Sequence, residues 1–117
     1  MRSPLDLVRS FIQNVWIERD LDEIPNYIAP DYQATGLRTK VLISGVDGVR
    51  INVQKVYSDY PALSIEIDDM FADGDKVATR LTFHPSPDSS ISMREIIIHE
   101  VQDGLICQAW SIGSEWN

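Results

Sequence analysis

The N-terminal half of the chain carries apolar residues at helical spacing. From Leu5 to Trp16 they recur every three or four positions, behind a start at which Ser3 can cap a helix and Pro4 suits its first turn. The same spacing predicts two further helices, over about 20–30 and about 49–60. Three helices are therefore expected before the main run of strands.

In the C-terminal half the apolar period changes to two, which is typical of strands with one covered face. Two Asp-Gly pairs, Asp73-Gly74 and Asp103-Gly104, predict tight hairpins between such strands. This half is therefore predicted to form a meander of four antiparallel strands. The residues between the second and third helices are expected to form a loop or a short strand.

These elements predict an α+β domain that occupies residues 1–117 as one unit, with the helices on one face of the sheet. The third strand departs from alternation, because Ile96, Ile97 and Ile98 are consecutive and make both of its faces apolar. Since the helices cover only one face, the other is predicted to meet a second copy of the chain. The second-strand residues assigned to this dimerising face are Val77, Thr79, Leu81 and Phe83.

Composition narrows the possible partners. The net charge is −8 and the sequence pI about 4.5, which disfavours nucleic acid, because such binding needs clustered Lys and Arg. No apolar run approaches the ~18 residues of a membrane span, and the first residues lack the apolar segment of a signal peptide. The single cysteine, Cys107, is interpreted as a small buried apolar residue. The expectation is a cytoplasmic protein without nucleic-acid or membrane partners.

Four stretches of the chain resemble the SnoaL-type polyketide cyclases of the nuclear transport factor two-like superfamily. They are VWIERDLDEIPNYIAPDYQATG, GVDGVR before a helix that ends in YP, DGDKVATRLTF, and VQDGLICQAW, and together they span nearly the whole chain. The resemblance implies a cone-shaped barrel, in which a curved antiparallel sheet is closed by three N-terminal helices around a pocket for a small hydrophobic ligand. It also implies a homodimer formed through the outer sheet face, and chemistry without a cofactor.

The resemblance also assigns residues to the pocket. It implies that Trp110 lies on the pocket side of the last strand, and period two then places Ile112 and Ser114 on the same face. Ser114 and Thr35 stand where the cyclases often carry an aspartate and a histidine. An arginine similar to Arg80 lies in the pocket of limonene epoxide hydrolase, a relative of the cyclases.

Further candidates for ligand contact follow from these positions. Thr82 and His84 share the face of Arg80 on the second strand. Arg80 either contacts the ligand or pairs with an acidic residue at the pocket rim. Tyr32 is included because its hydroxyl can hydrogen-bond a ligand.

Acid–base chemistry is predicted on the third strand. One face of this strand carries Met93, Glu95, Ile97, His99 and Val101, and the resemblance around the second hairpin implies that this face lines the pocket. Histidine titrates near pH 6.5, which suits a general acid or base. Glu95 and His99 lie about 13 Å apart along a strand, so they do not contact each other directly. His99 is alternatively a hydrogen-bonded structural residue, and a bulge would put Glu100 in its place. The histidines and Glu95 match no metal-ligand spacing, so no metal is expected.

Two functions remain open from the sequence. The first is a cofactor-independent lyase, isomerase or hydrolase acting on a small carbonyl, phenolic or epoxide compound. His99 would be its base, Arg80 would stabilise a developing enolate or alkoxide, and Glu95 would orient His99 or act alone. The second is a module of the same fold that binds a small ligand or dimerises without turnover.

Overall fold

A computed structural model describes residues 2–36 and 42–114 of the chain. In chain order the elements are α1 (Pro4–Phe11), a π-helical turn (Ile12–Ile17), a 3₁₀ turn (Leu21–Asn26), β1 (Ile28–Gly36), β2 (Ile43–Ser44), α2 (Gly45–Asp59), β3 (Ser64–Asp73), β4 (Lys76–His84), β5 (Met93–Gln102) and β6 (Leu105–Gly113). Within the described residues, no helix combines the length and apolarity needed to cross a bilayer.

The first helix begins where the sequence predicts and changes its winding before it ends. The Ser3 hydroxyl accepts a hydrogen bond from the Asp6 N–H at 3.1 Å, and Pro4 occupies the first turn. After Phe11 the chain widens into the π-helical turn, which closes with the Glu18 N–H donating to the carbonyl of Gln13 at 2.9 Å. The helical pattern predicted up to Trp16 is thus present, although its last part is not α-helical.

The second predicted helix is only a 3₁₀ turn that contains Pro25. Proline has no N–H to donate, so it disfavours a continued α-helix at this point. The Tyr27 carbonyl instead accepts a hydrogen bond from the Ile106 N–H at 2.7 Å, which ties the chain to β6. Residues expected at the end of a helix therefore start β1. The segment that follows, predicted as a loop or a short strand, is a strand as far as Gly36, and residues 37–41 lie outside the described part.

The sheet has six strands in the order β2-β1-β6-β5-β4-β3. The antiparallel meander predicted for β3 to β6 is present, and β1 adds to it by pairing in parallel with β6. The sheet is therefore mixed, with β2 and β3 at its two edges. The expected order of three helices before the sheet is also corrected, because α2 follows β1 and β2.

The core lies between the helices and one face of the sheet. On β4 the inward residues are Val77, Thr79, Leu81 and Phe83. The prediction that these four side chains form an outer dimerising face was wrong. Packing the apolar face of β4 against the helices removes the most apolar surface from water, so this face turns inward.

A β-bulge sets the orientation of the last strand. Val101 pairs with Ile106, but Glu100 pairs with Gln108, so Cys107 is an extra residue on β6. Its thiol lies 3.4 Å from the carbonyl oxygen of Glu100. Beyond the bulge, every side chain of β6 points to the face opposite the one that a regular hairpin would give it.

Candidate functional site

A cavity of about 210 Å³ lies between the inner face of the sheet and the helices. Much of its wall is apolar, and its aromatic side chains are Phe11, Trp16, Tyr32, Tyr60 and Phe83. The other residues with polar side chains on the wall are Thr35, Asn52, Glu95, His99 and Ser111. The cavity therefore has the character of a small-molecule site, with an apolar wall and a few polar groups.

His99 is the titratable side chain that is most deeply set in this wall. It is 3 % exposed, lies on β5 opposite Val77 and Ala109, and meets the ring of Phe11 edge-on at 6.1 Å between centroids. Burial lowers the pKa of His99 from 6.5 to about 4, because water is absent to solvate the imidazolium. At pH 7 the imidazole is therefore neutral.

The Nδ1 atom of His99 has no hydrogen-bond partner among the described residues. Buried polar atoms are paired in the great majority of cases, and an unpaired one costs about 1–3 kcal/mol. A neutral imidazole has one donor and one acceptor nitrogen, so it can either donate to a ligand oxygen or accept from a ligand hydroxyl. A ligand group that reaches this atom would supply the missing partner.

Glu95 lines the same cavity near the start of β5. It is half-buried and stands opposite Leu81 and Gly113 in the sheet. Four residues of strand separate its backbone from that of His99 by about 13 Å. The carboxyl group and the imidazole therefore address different parts of the cavity. Glu100, the alternative for the inward position, lies on the other face of β5.

Two residues of β1 that the sequence singled out also contribute to the wall. Tyr32 is 5 % exposed, and burial raises the pKa of its hydroxyl, so it remains a neutral phenol. Thr35 lies at the exposed end of the strand. Four of the predicted site residues thus meet around one cavity: Tyr32, Thr35, Glu95 and His99.

The predicted pocket residues of β4 lie on the opposite face of the sheet. Each of them contacts an acidic side chain of β3: the pairs are Arg80–Asp69, Thr82–Asp68 and His84–Glu66. The Arg80 and His84 contacts measure 3.1 Å, and all three β4 residues line an open polar cleft on the outside of the sheet. The prediction that they face the ligand pocket was wrong, because apolar side chains occupy the inward positions of β4. An ion pair with a neighbouring acid, the alternative for Arg80, is what the structure contains.

The predicted pocket residues of β6 also point away from the cavity. Trp110 is 38 % exposed, with the Lys76 ammonium 5.8 Å from the centroid of its ring, and Ile112 is 53 % exposed. Ser114 is exposed as well, and its hydroxyl accepts a hydrogen bond from the Arg94 N–H at 3.0 Å. Their predicted orientation was wrong because the bulge at Cys107 shifts the register by one residue.

The sequence interpretation missed three wall residues whose side chains carry polar atoms: Trp16, Asn52 and Ser111. Asn52 carried a usable signal, since it lies at helical spacing between Val49 and Val56 on the apolar face of α2. A polar residue within such a stripe often faces a cavity or a buried partner. Ser111 could not be found without knowledge of the bulge.

A metal centre has no basis in the described part of the chain. No three His, Cys, Asp or Glu side chains converge there in a way that could hold a cation. What the arrangement offers is neutral hydrogen-bonding groups and one carboxyl group in an apolar cavity.

Comparison with known proteins agrees with this geometry. Solved structures with the same fold include a SnoaL-like polyketide cyclase from Agrobacterium tumefaciens, with 19 % identity, a TM-score of 0.81 and coverage of 98 % of this chain and 94 % of the other. IdmH from Streptomyces antibioticus, a proposed polyketide cyclase, has 20 % identity, a TM-score of 0.80 and coverage of 97 % and 93 %. A proposed polyketide cyclase from Bacillus cereus has 26 % identity, a TM-score of 0.75 and coverage of 95 % and 72 %.

The assignment of the chain to a family rests on the match of its sequence to a family model. No curated protein sequence matches the chain. Residues 8–109, which include most of the cavity-forming elements, match the model of the SnoaL-like domain. The chain therefore belongs to the SnoaL-like domain family, within the nuclear transport factor two-like superfamily.

Proposed function

We propose that the chain binds a small, mostly apolar compound of one or two rings in this cavity and catalyses its isomerisation or cyclisation by proton transfer, without a cofactor. The volume of the cavity supports this size of ligand. An apolar cavity of about 150 Å³ can hold benzene, so 210 Å³ suits a molecule moderately larger than one ring. Larger ring systems would have to extend through the mouth.

The observation that carries the proposal is the buried, neutral imidazole of His99, a residue of the cavity wall whose Nδ1 has no hydrogen-bond partner among the described residues. A hydrogen bond fixed in a dry site stabilises charge that develops on a substrate oxygen more strongly than water does. His99 is therefore assigned as the donor to a carbonyl oxygen, in its Nδ1–H form.

Glu95 is assigned as the proton acceptor. It takes a proton from a substrate carbon activated by the carbonyl group, the C–H electron pair enters a new C=C bond, and the oxygen acquires negative charge beside His99. In an unsaturated ketone, the protonated Glu95 returns the proton to a different carbon of the dienolate, which completes an isomerisation. In a diketone, the enolate carbon attacks the second carbonyl carbon and the resulting alkoxide takes the proton back from Glu95, which completes a cyclisation. Because about 13 Å of strand separates Glu95 from His99, the acidic C–H bond stands at the far end of a conjugated system from the carbonyl oxygen.

These roles differ from those suggested by the sequence. Arg80 pairs with Asp69 on the outer face, so it does not stabilise an oxyanion in the cavity. The lowered pKa of His99 makes it a weak base, whereas its neutral form remains an effective donor. The carboxyl group of Glu95 therefore replaces His99 as the base.

A screen of cyclic ketones and aryl ketones with an acidic C–H bond tests the proposal, using proton exchange with deuterated water as the readout. Once a substrate is found, Glu95→Gln should lower the rate by about 10²-fold or more, because the general base is lost. Ser114→Ala is the matched control and should retain the rate of the wild-type protein. Equal losses in both variants would contradict the assignment of Glu95.

The second candidate is a binding module without turnover. It is favoured by the position of Arg80, since the guanidinium expected to assist catalysis lies outside the cavity. Compounds that bind in the cavity, show no proton exchange and bind equally well to Glu95→Gln would support this function over the enzyme.

We also propose that a second copy of the chain covers the outer face of β5 and β6. Ile96 pairs with Ile112 and Ile98 with Trp110, and all four side chains are exposed, which makes a continuous apolar strip. The neighbouring cleft carries both acidic and basic side chains. A two-fold contact places such a mixed patch against itself and lets opposite charges meet, so the surface fits another copy of the same chain.

A further inference from the structure

The end of the cavity around His99 is apolar and enclosed. Its neighbours across the sheet are Val77 and Ala109, and the ring of Phe11 covers it from the helix side. All three are buried, with exposures of 5 % or less. A group that sits against His99 is therefore surrounded by hydrocarbon and separated from water.

The polar atoms at this end carry no charge. Thr79, diagonally across from His99 on β4, is 1 % exposed, and its hydroxyl, like Nδ1 of His99, has no hydrogen-bond partner among the described residues. Thr79 is not part of the cavity wall, so at this end a ligand meets the neutral imidazole of His99, which can exchange a hydrogen bond but cannot neutralise an anion. Burying an uncompensated carboxylate in such surroundings is strongly unfavourable.

We infer that the ligand seats an uncharged carbonyl or hydroxyl group against His99, so that the cavity takes ketones, phenols and alcohols of one or two rings and rejects the carboxylates of the same shape. The inference rests on the proposed function, because it assumes that the cavity binds a ligand. It adds which chemical class is bound and which end of the molecule enters first.

Matched compounds test the inference on the intact chain. Calorimetric titrations at pH 7.5 compare 2-acetylnaphthalene and 2-naphthol with 2-naphthoate, and acetophenone and phenol with benzoate. The neutral compounds should bind at least about 10-fold more tightly than the carboxylates. A carboxylate that binds as tightly as its neutral partners would overturn the inference while leaving the proposed binding function intact. Failure of every compound to bind would overturn the proposed function itself.

Histidine NMR tests the contact without any variant. The sequence contains only two histidines, His84 and His99, so long-range ¹H–¹⁵N spectra of the side chains are easily assigned. Addition of 2-naphthol should shift the ring nitrogens of His99 and leave those of His84, on the outer face, unchanged. Binding without any shift at His99 would overturn the inference.

A pair of variants separates the hydrogen bond from the shape of the site. His99→Gln keeps an uncharged hydrogen-bonding group and should bind 2-naphthol within about 3-fold of the wild-type protein, whereas His99→Leu should lose about 10-fold. Equal affinities in the two variants would show that the polar group of the ligand does not use this position. Circular dichroism establishes that each variant is folded, and the NMR measurement decides the question if either is not.

Discussion

At the scale of single residues, His99 couples the stability of the fold to pH. Its pKa is lowered to about 4 in the folded chain, against 6.5 for an ordinary histidine, so the unfolded chain binds a proton first as the pH falls. Folding is then opposed by protonation between about pH 6.5 and pH 4. The contribution of the neutral imidazole to the free energy of unfolding is fully present above about pH 6.5 and is lost as the pH falls toward about 4.

We expect the free energy of unfolding to fall by about 2 kcal/mol between pH 7.5 and pH 5 on account of His99 alone. Urea denaturation of the wild-type protein and of His99→Gln at both pH values measures this contribution, because the acidic residues titrate equally in both proteins. His84→Gln, on the outer face, serves as the control and should keep the acid sensitivity of the wild-type protein. A variant at position 99 that loses as much stability in acid as the wild-type protein would show that this histidine is not buried in its neutral form.

Two tryptophans report on opposite sides of the sheet. Trp16 lines the cavity, whereas Trp110 lies on the outer face. Binding of 2-naphthol or a related ligand should change the tryptophan emission of the wild-type protein and of Trp110→Phe. The change should largely disappear in Trp16→Phe. If Trp110→Phe abolishes the signal instead, the ligand does not occupy this cavity.

At the scale of elements, β5 is the strand that separates the cavity from the proposed dimer surface. Ile97 points into the cavity and its neighbour Ile96 points to the outer face, where it is 48 % exposed. A larger side chain at one of these positions should therefore change one surface and spare the other.

Ile97→Trp should fill part of the cavity and weaken ligand binding by about 10-fold or more, because the ligand and the indole compete for the same volume. Ile96→Trp, one residue away, should bind the ligand with wild-type affinity. Calorimetric titration with the same compound measures both affinities. Equal weakening at the two positions would indicate a general distortion of β5 instead of a filled cavity.

At the scale of the whole molecule, the apolar strip on β5 and β6 is the proposed dimer surface. The double variant Ile96→Glu with Ile112→Glu should be monomeric in sedimentation equilibrium at micromolar concentration, because it brings four carboxylates together in the proposed dimer. Ile51→Glu is the control, since Ile51 is 64 % exposed on α2, away from this strip, and its variant should assemble like the wild-type protein. A wild-type chain that sediments at 13.3 kDa would contradict the proposed dimer.

Much of the element pattern follows from the sequence alone. Local sequence signals predict the start of α1 at Ser3, the apolar face of α2 and the two hairpins, because each of these features depends on residues close together in the chain. The resemblance of short motifs identifies the family, and the match to the family model confirms it. Where β1 lies, the sequence predicted only the end of a helix and then a loop or a short strand, because β1 is held by parallel pairing with β6, more than 70 residues away along the chain, and no local pattern encodes such a partner.

The faces of the strands were decided only in three dimensions. Period two determines which residues share a face, so Glu95 and His99 could be grouped from the sequence. It does not determine how a strand is aligned with its neighbour when the connection is long, and the loop between β4 and β5 leaves the position of Arg80 relative to Glu95 open. One extra residue at Cys107 then turns Trp110 outward and Ser111 toward the cavity. The sequence therefore determined the candidate chemistry of β5, and the register of the tertiary fold decided which side chains join it, because a shift of one residue exchanges the two faces of a strand.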